Sequence, residues 1–130
     1  MNDLPFRCEL KPGLPVHDQV VFAVQKAVIS RQLRPGDAFP SVRALGQALR
    51  INPNTAHRVV QTLVARGLLA VRPGVGTVVG DGAEATSSER RALLGDEVER
   101  LVVEARRLGL SLEEVTAAVG RGWKRIGEGR

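Results

Sequence analysis

Apolar residues in the first half of the chain recur at helical spacing in three stretches. Between Pro15 and Ser30 they recur every three or four residues, which predicts a first helix with Pro15 in its first turn. A second stretch follows Ser41, a residue type that commonly caps helices. The third follows Asn52 and an adjoining proline, whose missing N–H costs nothing at the first helical position. Gly67 predicts the end of this third helix, because glycine readily adopts positive φ.

Beyond Gly67 the period of the apolar residues becomes strand-like. Residues 68–72 and 77–79 flank a Pro-Gly-Val-Gly turn, which predicts a β-hairpin. Residues 38–40 form a short extended segment, since a residue before proline is pushed towards β geometry. The predicted order is therefore helix, short strand, helix, turn, helix and hairpin. This is the order of a winged helix-turn-helix domain, in which the hairpin is the wing.

The last third of the chain predicts two further helices. The first carries an apolar stripe with heptad-like spacing, which Gly95 weakens locally and Gly109 ends. Ser111 and Glu114 fit a capping box that opens the second helix. Two such helices bury too little apolar surface as a free hairpin, so we expect them to pair with a second chain. The predicted dimerisation residues are Leu94, Val98, Leu101, Ala105, Leu108, Leu112, Val115, Val119 and Trp123.

The predicted fold class is mainly α with a small β-hairpin wing. A winged helix-turn-helix domain occupies residues 15–80, after an N-terminal arm of residues 1–14 that lacks clear periodicity. A linker of small residues covers 81–88. The helical hairpin for dimerisation spans 89–126, and residues 127–130 form a tail.

The positive charge of the chain is concentrated in one segment. Of the net charge of +5, residues 31–80 contribute seven arginines against a single acid, Asp37. The segments before and after it are close to neutral. A local field of this kind suits a polyanion, and it coincides with the predicted helix-turn-helix.

Residues 15–79 resemble the winged-helix domain of GntR-type regulators. The resemblance rests on PVHDQ at 15–19, LRPGDAFPSVRAL at 33–45, INPNT at 51–55, LVARGLL at 63–69 and RPGVGTV at 72–78. The short two-helix tail, with RLGLS at 107–111, resembles the YtrA subgroup. This resemblance implies a DNA-binding transcriptional regulator, with repression as the default, that dimerises through the tail.

The first turn of the third helix supplies the candidate side chains for reading DNA. A helix that enters the major groove presents its N-terminal residues to base edges. Asparagine can pair with adenine and arginine with guanine, while a threonine methyl can touch the methyl of thymine. For Asn52 a role as helix cap alone is the main alternative, and His57 would make affinity respond to pH through its charge. The candidates are Asn52, Asn54, Thr55, His57 and Arg58.

Two other elements add candidate DNA contacts. The family resemblance assigns Arg43, early in the second helix, to the DNA backbone. In the wing, Arg72, Gly74, Gly76 and Thr77 are candidates, because glycines let a hairpin tip approach phosphates or the minor groove closely. These glycines also satisfy a tight turn without any DNA.

The sequence contains few features that would support another class of function. It has no phosphate loop, no paired carboxylates in an apolar setting and no nucleophile–base motif, so we expect no enzyme and no cofactor. The two histidines lie in different helices, so we expect no metal site. Cys8 is the single cysteine, so we expect a reduced thiol in a cytoplasmic protein. No apolar run approaches the ~20 residues needed to cross a bilayer, so we expect no membrane partner. Trp123 on an apolar stripe predicts core or interface, with an unidentified small-molecule effector as the alternative.

The sequence leaves two alternatives to a dimeric, sequence-specific regulator of a pseudo-palindromic operator. One is a non-specific or architectural nucleic-acid-binding protein built on the same fold, although the polar reading helix is poor in lysine. The other is a protein-interaction module, which would not need the basic segment.

Overall fold

The computed structural model describes residues 4–82 and 84–127, and it divides into two compact units. The first extends as far as residue 82, and the second covers Glu84–Gly127. Each unit is built on its own set of helices.

The first unit is a winged helix-turn-helix domain, as the sequence predicts. Its elements are α1 (Val16–Ile29), α2 (Val42–Leu49), α3 (Pro53–Ala65), β1 (Leu69–Arg72) and β2 (Gly76–Val79). Helices α1 and α2 both pack against α3, and β1 follows directly on it. The strands pair antiparallel in a two-stranded sheet. Ala38 adds a single antiparallel bridge to Val78, which confirms the short extended segment before α2.

Side-chain caps fix where α2 and α3 begin. The Ser41 hydroxyl accepts a hydrogen bond from the Ala44 N–H at 3.1 Å, and the Asn52 side chain accepts one from the Asn54 N–H at 2.7 Å. Pro53 occupies the first turn of α3, where an N–H would have no helical partner. Between the two helices Arg50 adopts a left-handed conformation with φ of 55°. These local features set the tight turn that joins α2 to α3.

The two strands of the wing, residues 69–79, are joined by the Pro-Gly turn that the sequence predicts. Leu69 pairs with Val79 and Arg72 with Gly76, so three residues form the loop. The Val75 N–H donates to the Arg72 carbonyl at 3.0 Å. Gly74 stands at the third position with φ of 75°, which is typical of a type II turn with proline before it.

The core of this unit is formed by the inward-facing apolar side chains of all three helices and the wing. Its fully buried side chains are Val20, Val24, Leu33, Leu45, Val59, Leu63, Leu69 and Val79. At roughly 1.5–3 kcal/mol for each large aliphatic side chain removed from water, this cluster stabilises the domain strongly. Ala56 and Val60 complete the buried face of α3.

The N-terminal segment also contributes to this core, which the interpretation of residues 1–14 as an arm did not anticipate. Phe6 is only 2% exposed, and its ring stacks on Phe39 with 5.7 Å between centroids. Leu4, Cys8 and Leu10 pack against the same cluster. Burial raises the pKa of the Cys8 thiol, which disfavours the thiolate form. Residues 1–3 lie outside the described part.

The second unit consists of helices alone. Its elements are α4 (Ser87–Ala92), a π-helical turn (Leu93–Glu97), α5 (Val98–Arg107) and α6 (Leu112–Gly127). Helix α4 begins slightly before the predicted boundary at residue 89, because Thr86 and Glu89 form a capping box that the sequence analysis missed. Gly109 ends the α5 segment with φ of 75°, as predicted. Helix α6 runs through Gly127, which had been placed in the tail, and the rest of that tail lies outside the described residues.

Two features of the second unit follow from local sequence. Ser111 caps α6 by accepting from the Glu114 N–H at 3.1 Å, while the Glu114 carboxylate accepts from the Ser111 N–H at 2.9 Å. This confirms the predicted capping box. The π-helical turn contains Gly95, the residue expected to weaken the helix locally.

Candidate nucleic-acid interface

The first two turns of α3 separate polar from apolar side chains. Asn54, His57 and Arg58 are exposed, and Thr55 is half-buried. Ala56, Val59 and Val60 point into the core. We call the outward set, together with Asn52, the reading surface. It holds all five residues that the sequence predicts for base contact.

The side chains of the reading surface differ in how far they are already engaged. The Asn52 carboxamide oxygen is committed to the cap of α3, so its structural role is clear. Within residues 4–82, the side chains of Asn54, His57 and Arg58 make no hydrogen bond or ion pair. Their donors and acceptors are therefore free for an external partner.

Helix α2, which packs against α3, carries Arg43. Arg43 is exposed on the first turn of α2. The two helices approach closely at Gly46, where an added β-carbon would stand 3.6 Å from Cβ of Ala56. This close crossing fixes the position of Arg43 relative to α3.

The wing places its candidate residues at and next to the turn. Arg72 is exposed at the end of β1, and Gly76 lies opposite it in register. Gly74 and Gly76 have open space around them, so their positive φ values, and not crowding, explain the glycines. Thr77 is half-buried, and its carbonyl accepts from the Phe39 N–H at 2.9 Å. Its side chain is thus less available than that of Arg72.

Two long-range hydrogen bonds hold α3 against α1, and the sequence analysis predicted neither. His17 Nε2 lies 2.9 Å from Thr62 Oγ1, while its Nδ1 lies 3.0 Å from a carboxylate oxygen of Asp18. Further along, Arg66 donates to the Gln25 side chain at 3.1 Å. These pairs join residues more than forty positions apart, so no local pattern could signal them.

The segment that supplies the candidate interface carries a positive net charge. Asp37 is the one acid within residues 31–80, and its carboxylate accepts from the Arg34 N–H at 2.9 Å in a turn before α2. No acid occurs between residues 38 and 80. The arginines of α2, α3 and the wing therefore lack acidic neighbours in sequence, and the surface favours a polyanion.

The predicted dimerisation residues lie on the π-helical turn, α5 and α6, with Leu108 directly after α5. Ala105 is buried and Val115 is half-buried, beside a groove between α5 and α6 that Leu101 and Leu108 also line. Leu94 is 74% exposed and Trp123 is 78% exposed. Within one chain, this unit thus leaves most of its large apolar side chains facing solvent.

Other kinds of site are not evident in the described ranges. Residues 4–82 and 84–127 contain no group of three or more His, Cys, Asp or Glu side chains arranged to hold a metal ion. No helix in the same ranges is long and apolar enough to cross a bilayer.

Comparison with known proteins agrees with this geometry. Residues 17–79 match the model of the bacterial regulatory proteins of the gntR family. The chain is 26% identical over 106 residues to the HTH-type transcriptional repressor YtrA of Bacillus subtilis, covering 81% of this chain and 82% of that protein. It is 29% identical over 111 residues to the HTH-type transcriptional regulator YhcF of the same organism, covering 85% and 92%.

A solved structure extends the likeness to the fold of both units. The crystal structure of a transcriptional antiterminator from Listeria monocytogenes matches with a TM-score of 0.79 at 22% identity, covering 94% of this chain and 92% of that one. The winged helix with an open, polar reading surface, the basic segment and the family match all lie in the same residues. Residues 17–79 are therefore a DNA-binding domain of the gntR family of bacterial regulatory proteins, and the chain is a DNA-binding transcriptional regulator similar to YtrA over most of its length.

Proposed function

We propose that this protein represses transcription as a homodimer bound to a pseudo-palindromic operator. The observation that carries the proposal is the reading surface, on which the polar side chains of Asn54, His57 and Arg58 are exposed and unengaged within residues 4–82. The similarity to a protein named as a transcriptional repressor supports repression as its output. Since such a regulator acts on bacterial DNA, its site of action is the cytoplasm.

Base recognition falls to α3. When the N-terminus of α3 lies in the major groove, Asn54 can pair with adenine and Arg58 with guanine. Thr55 can offer its methyl group to the methyl of thymine. His57 lies on the same face and adds positive charge when protonated. Asn52 caps the helix and keeps its first turn in place, so its contribution to DNA binding is mainly through position.

Backbone contacts fall to α2 and the wing. Arg43 stands where the first helix of a helix-turn-helix crosses the phosphates. Arg72 and the turn of the wing supply the other backbone contacts, because Gly74 and Gly76 permit close approach of the wing backbone to the DNA. Arginine suits this role because its planar donors match phosphate oxygens. Such contacts hold the register of α3 without reading sequence.

Dimerisation falls to the second unit. Its exposed apolar side chains include Leu94, Leu101, Leu108, Leu112 and Trp123. At about 25 cal/mol per Å² of apolar surface removed from water, covering such a face with its own copy releases substantial free energy. A two-fold axis then presents two reading surfaces to two half-sites, which is the geometry a pseudo-palindrome requires.

Hydroxyl-radical footprinting tests the proposal on the DNA upstream of the protein's own gene. We expect two protected patches related by an inverted repeat and separated by about 10 base pairs or a multiple. In a transcription assay on the same DNA, added protein lowers the yield of transcript. A single patch would contradict the dimeric mode of binding, and uniform protection would favour the non-specific alternative.

A further inference from the structure

Two arginines adopt a backbone conformation that normally belongs to glycine. Arg31 has φ of 65° and Arg50 has φ of 55°, and they are the non-glycine residues with positive φ in the described ranges. Each stands just past the end of a helix, at the position where glycine is most common. The β-carbon of an L-residue makes this conformation unfavourable, so both positions carry backbone strain.

The turn at Arg50 is firmly held. The Ile51 N–H donates to the Gly46 carbonyl at 3.0 Å, and the Arg50 N–H to the Gln47 carbonyl at 3.3 Å. This is the hydrogen-bond pattern of a Schellman motif, in which the residue at Arg50 must be left-handed. Strain at this residue is therefore imposed by the helix-turn-helix itself.

The backbone hydrogen bonds of the turn hold Arg50 in this conformation, but its side chain contributes no polar contact within residues 4–82. The Arg50 side chain is exposed and forms no hydrogen bond or ion pair with any residue in 4–82. No acid lies within a dozen residues on either side of it in sequence. Its nearest charged neighbours along the chain, Arg43 and Arg58, are also positive, so its charge adds repulsion. Within the described residues of the first unit, this guanidinium therefore has no polar partner.

We infer that Arg50 is an additional phosphate-binding residue, which contacts the DNA backbone at the entry of α3 into the groove. The residue precedes the Asn52 cap by two positions, and its exposed guanidinium extends from a turn that packing holds rigid. A phosphodiester oxygen supplies the compensating charge that the protein lacks, through charge-assisted hydrogen bonds. The contact is sequence-independent. This inference rests on the proposed docking of α3.

Arg31 provides a matched control within the same chain. It shares the left-handed conformation, the exposed side chain and the charge, but it follows α1, which carries none of the residues of the reading surface. Replacing either arginine by glycine relieves the same kind of strain and removes the same charge. The two substitutions should differ only in their effect on DNA.

The test compares full-length wild-type protein with the Arg50→Gly, Arg50→Lys and Arg31→Gly variants. Fluorescence anisotropy is measured over a range of salt concentrations on two duplexes, one from upstream of the protein's own gene and one of random sequence. For Arg50→Gly we expect the dissociation constant to rise about tenfold on both duplexes, with the salt slope reduced by about one per protomer. Arg50→Lys keeps the salt slope. Arg31→Gly changes affinity less than about threefold.

Thermal unfolding separates the contact from a folding defect. Both glycine variants should melt about 2–5 °C above wild type, because the strain is gone. A variant that is more stable yet binds DNA less tightly cannot owe its loss to misfolding. Unchanged affinity in Arg50→Gly overturns the inference, as does a loss confined to the upstream duplex or an equal loss in Arg31→Gly. If wild type itself binds neither duplex, the proposed function fails along with it.

Discussion

Gly80 illustrates how one residue limits the geometry of the wing. It is buried after β2, and its N–H donates to the Leu68 carbonyl at 2.9 Å. A β-carbon added there would stand 2.6 Å from the Gly67 carbonyl oxygen, a backbone atom that cannot swing aside. The segment that follows α3 and the end of β2 therefore pass each other at a distance that only glycine permits.

Gly80→Ala should lower the free energy of unfolding by about 2 kcal/mol, because the backbone must shift to relieve the overlap. Urea denaturation followed by circular dichroism measures it. Gly120→Ala is the matched control, since it lies in α6 with open space around it. That change should leave stability unchanged or raise it by up to about 1 kcal/mol, through helix propensity. Equal stability of Gly80→Ala and wild type would refute the packing argument.

Truncating Asn54 and truncating Arg43 should weaken DNA binding in different ways. Asn54→Ala should cost about 1–3 kcal/mol on the specific site and little on a scrambled duplex, because a base contact is lost. Arg43→Ala should weaken binding to both duplexes and reduce the salt slope by about one per protomer. Anisotropy titrations of the two variants side by side measure the contrast. Equal losses on both duplexes for Asn54→Ala would make it a phosphate contact instead.

At the scale of elements, the sequence predicts those features that local chemistry determines. Ser41, Asn52 and Gly67 mark helix ends because a side-chain oxygen or a positive φ acts on its immediate neighbours. The hairpin follows in the same way from its Pro-Gly turn. The reading surface was also predictable, because it lies on one face of a helix whose opposite face is apolar.

Features that depend on distant contacts were not predictable in this way. Phe6 lies in an aperiodic segment, and its place in the core depends on Phe39, thirty-three positions away. The bond between His17 and Thr62 spans forty-five positions. The left-handed Arg50 was missed because arginine carries no local signal for positive φ. In each case the packing of the whole domain decides the outcome.

The capping box of α6 predicts a dependence of stability on pH. Hydrogen bonds from the Ser111 backbone and side chain lower the pKa of the Glu114 carboxyl from its usual 4.5. Since the folded-state pKa is depressed, the box stabilises the helix above about pH 4.5 and its contribution is lost as pH falls through the folded-state pKa. Glu114→Gln should therefore melt below wild type near neutral pH, and the difference should shrink in acid. Thermal melts from pH 7 to pH 3 measure it, and a difference independent of pH would contradict the argument.

At the scale of the whole molecule, the excess positive charge and most of the exposed large apolar side chains lie in different units. The first unit carries the basic segment, while the second carries the exposed apolar side chains of the π-helical turn, α5 and α6. This division matches a regulator that holds DNA with one unit and its own copy with the other. The two functions should therefore respond separately to substitution.

Leu101→Glu should convert the proposed dimer to a monomer, because a carboxylate would be buried in the proposed interface. Val103→Glu is the matched control. Val103 is also exposed on α5, but it lies on a different face, among Asp96, Glu99 and Arg100. Sedimentation velocity should show one species at monomer mass for Leu101→Glu and a dimer for both Val103→Glu and wild type. A dimer in all three would place the interface elsewhere.

Selection from a pool of random duplexes tests the central claim, specific recognition of DNA by a dimer, most directly. The enriched sequences should converge on an inverted repeat with half-sites about 10 base pairs, or a multiple, apart. A duplex with that consensus should bind about 10³-fold or more tightly than its scrambled counterpart near physiological salt. Convergence on no sequence, with equal affinity for every duplex, would contradict specific recognition and leave a non-specific binder.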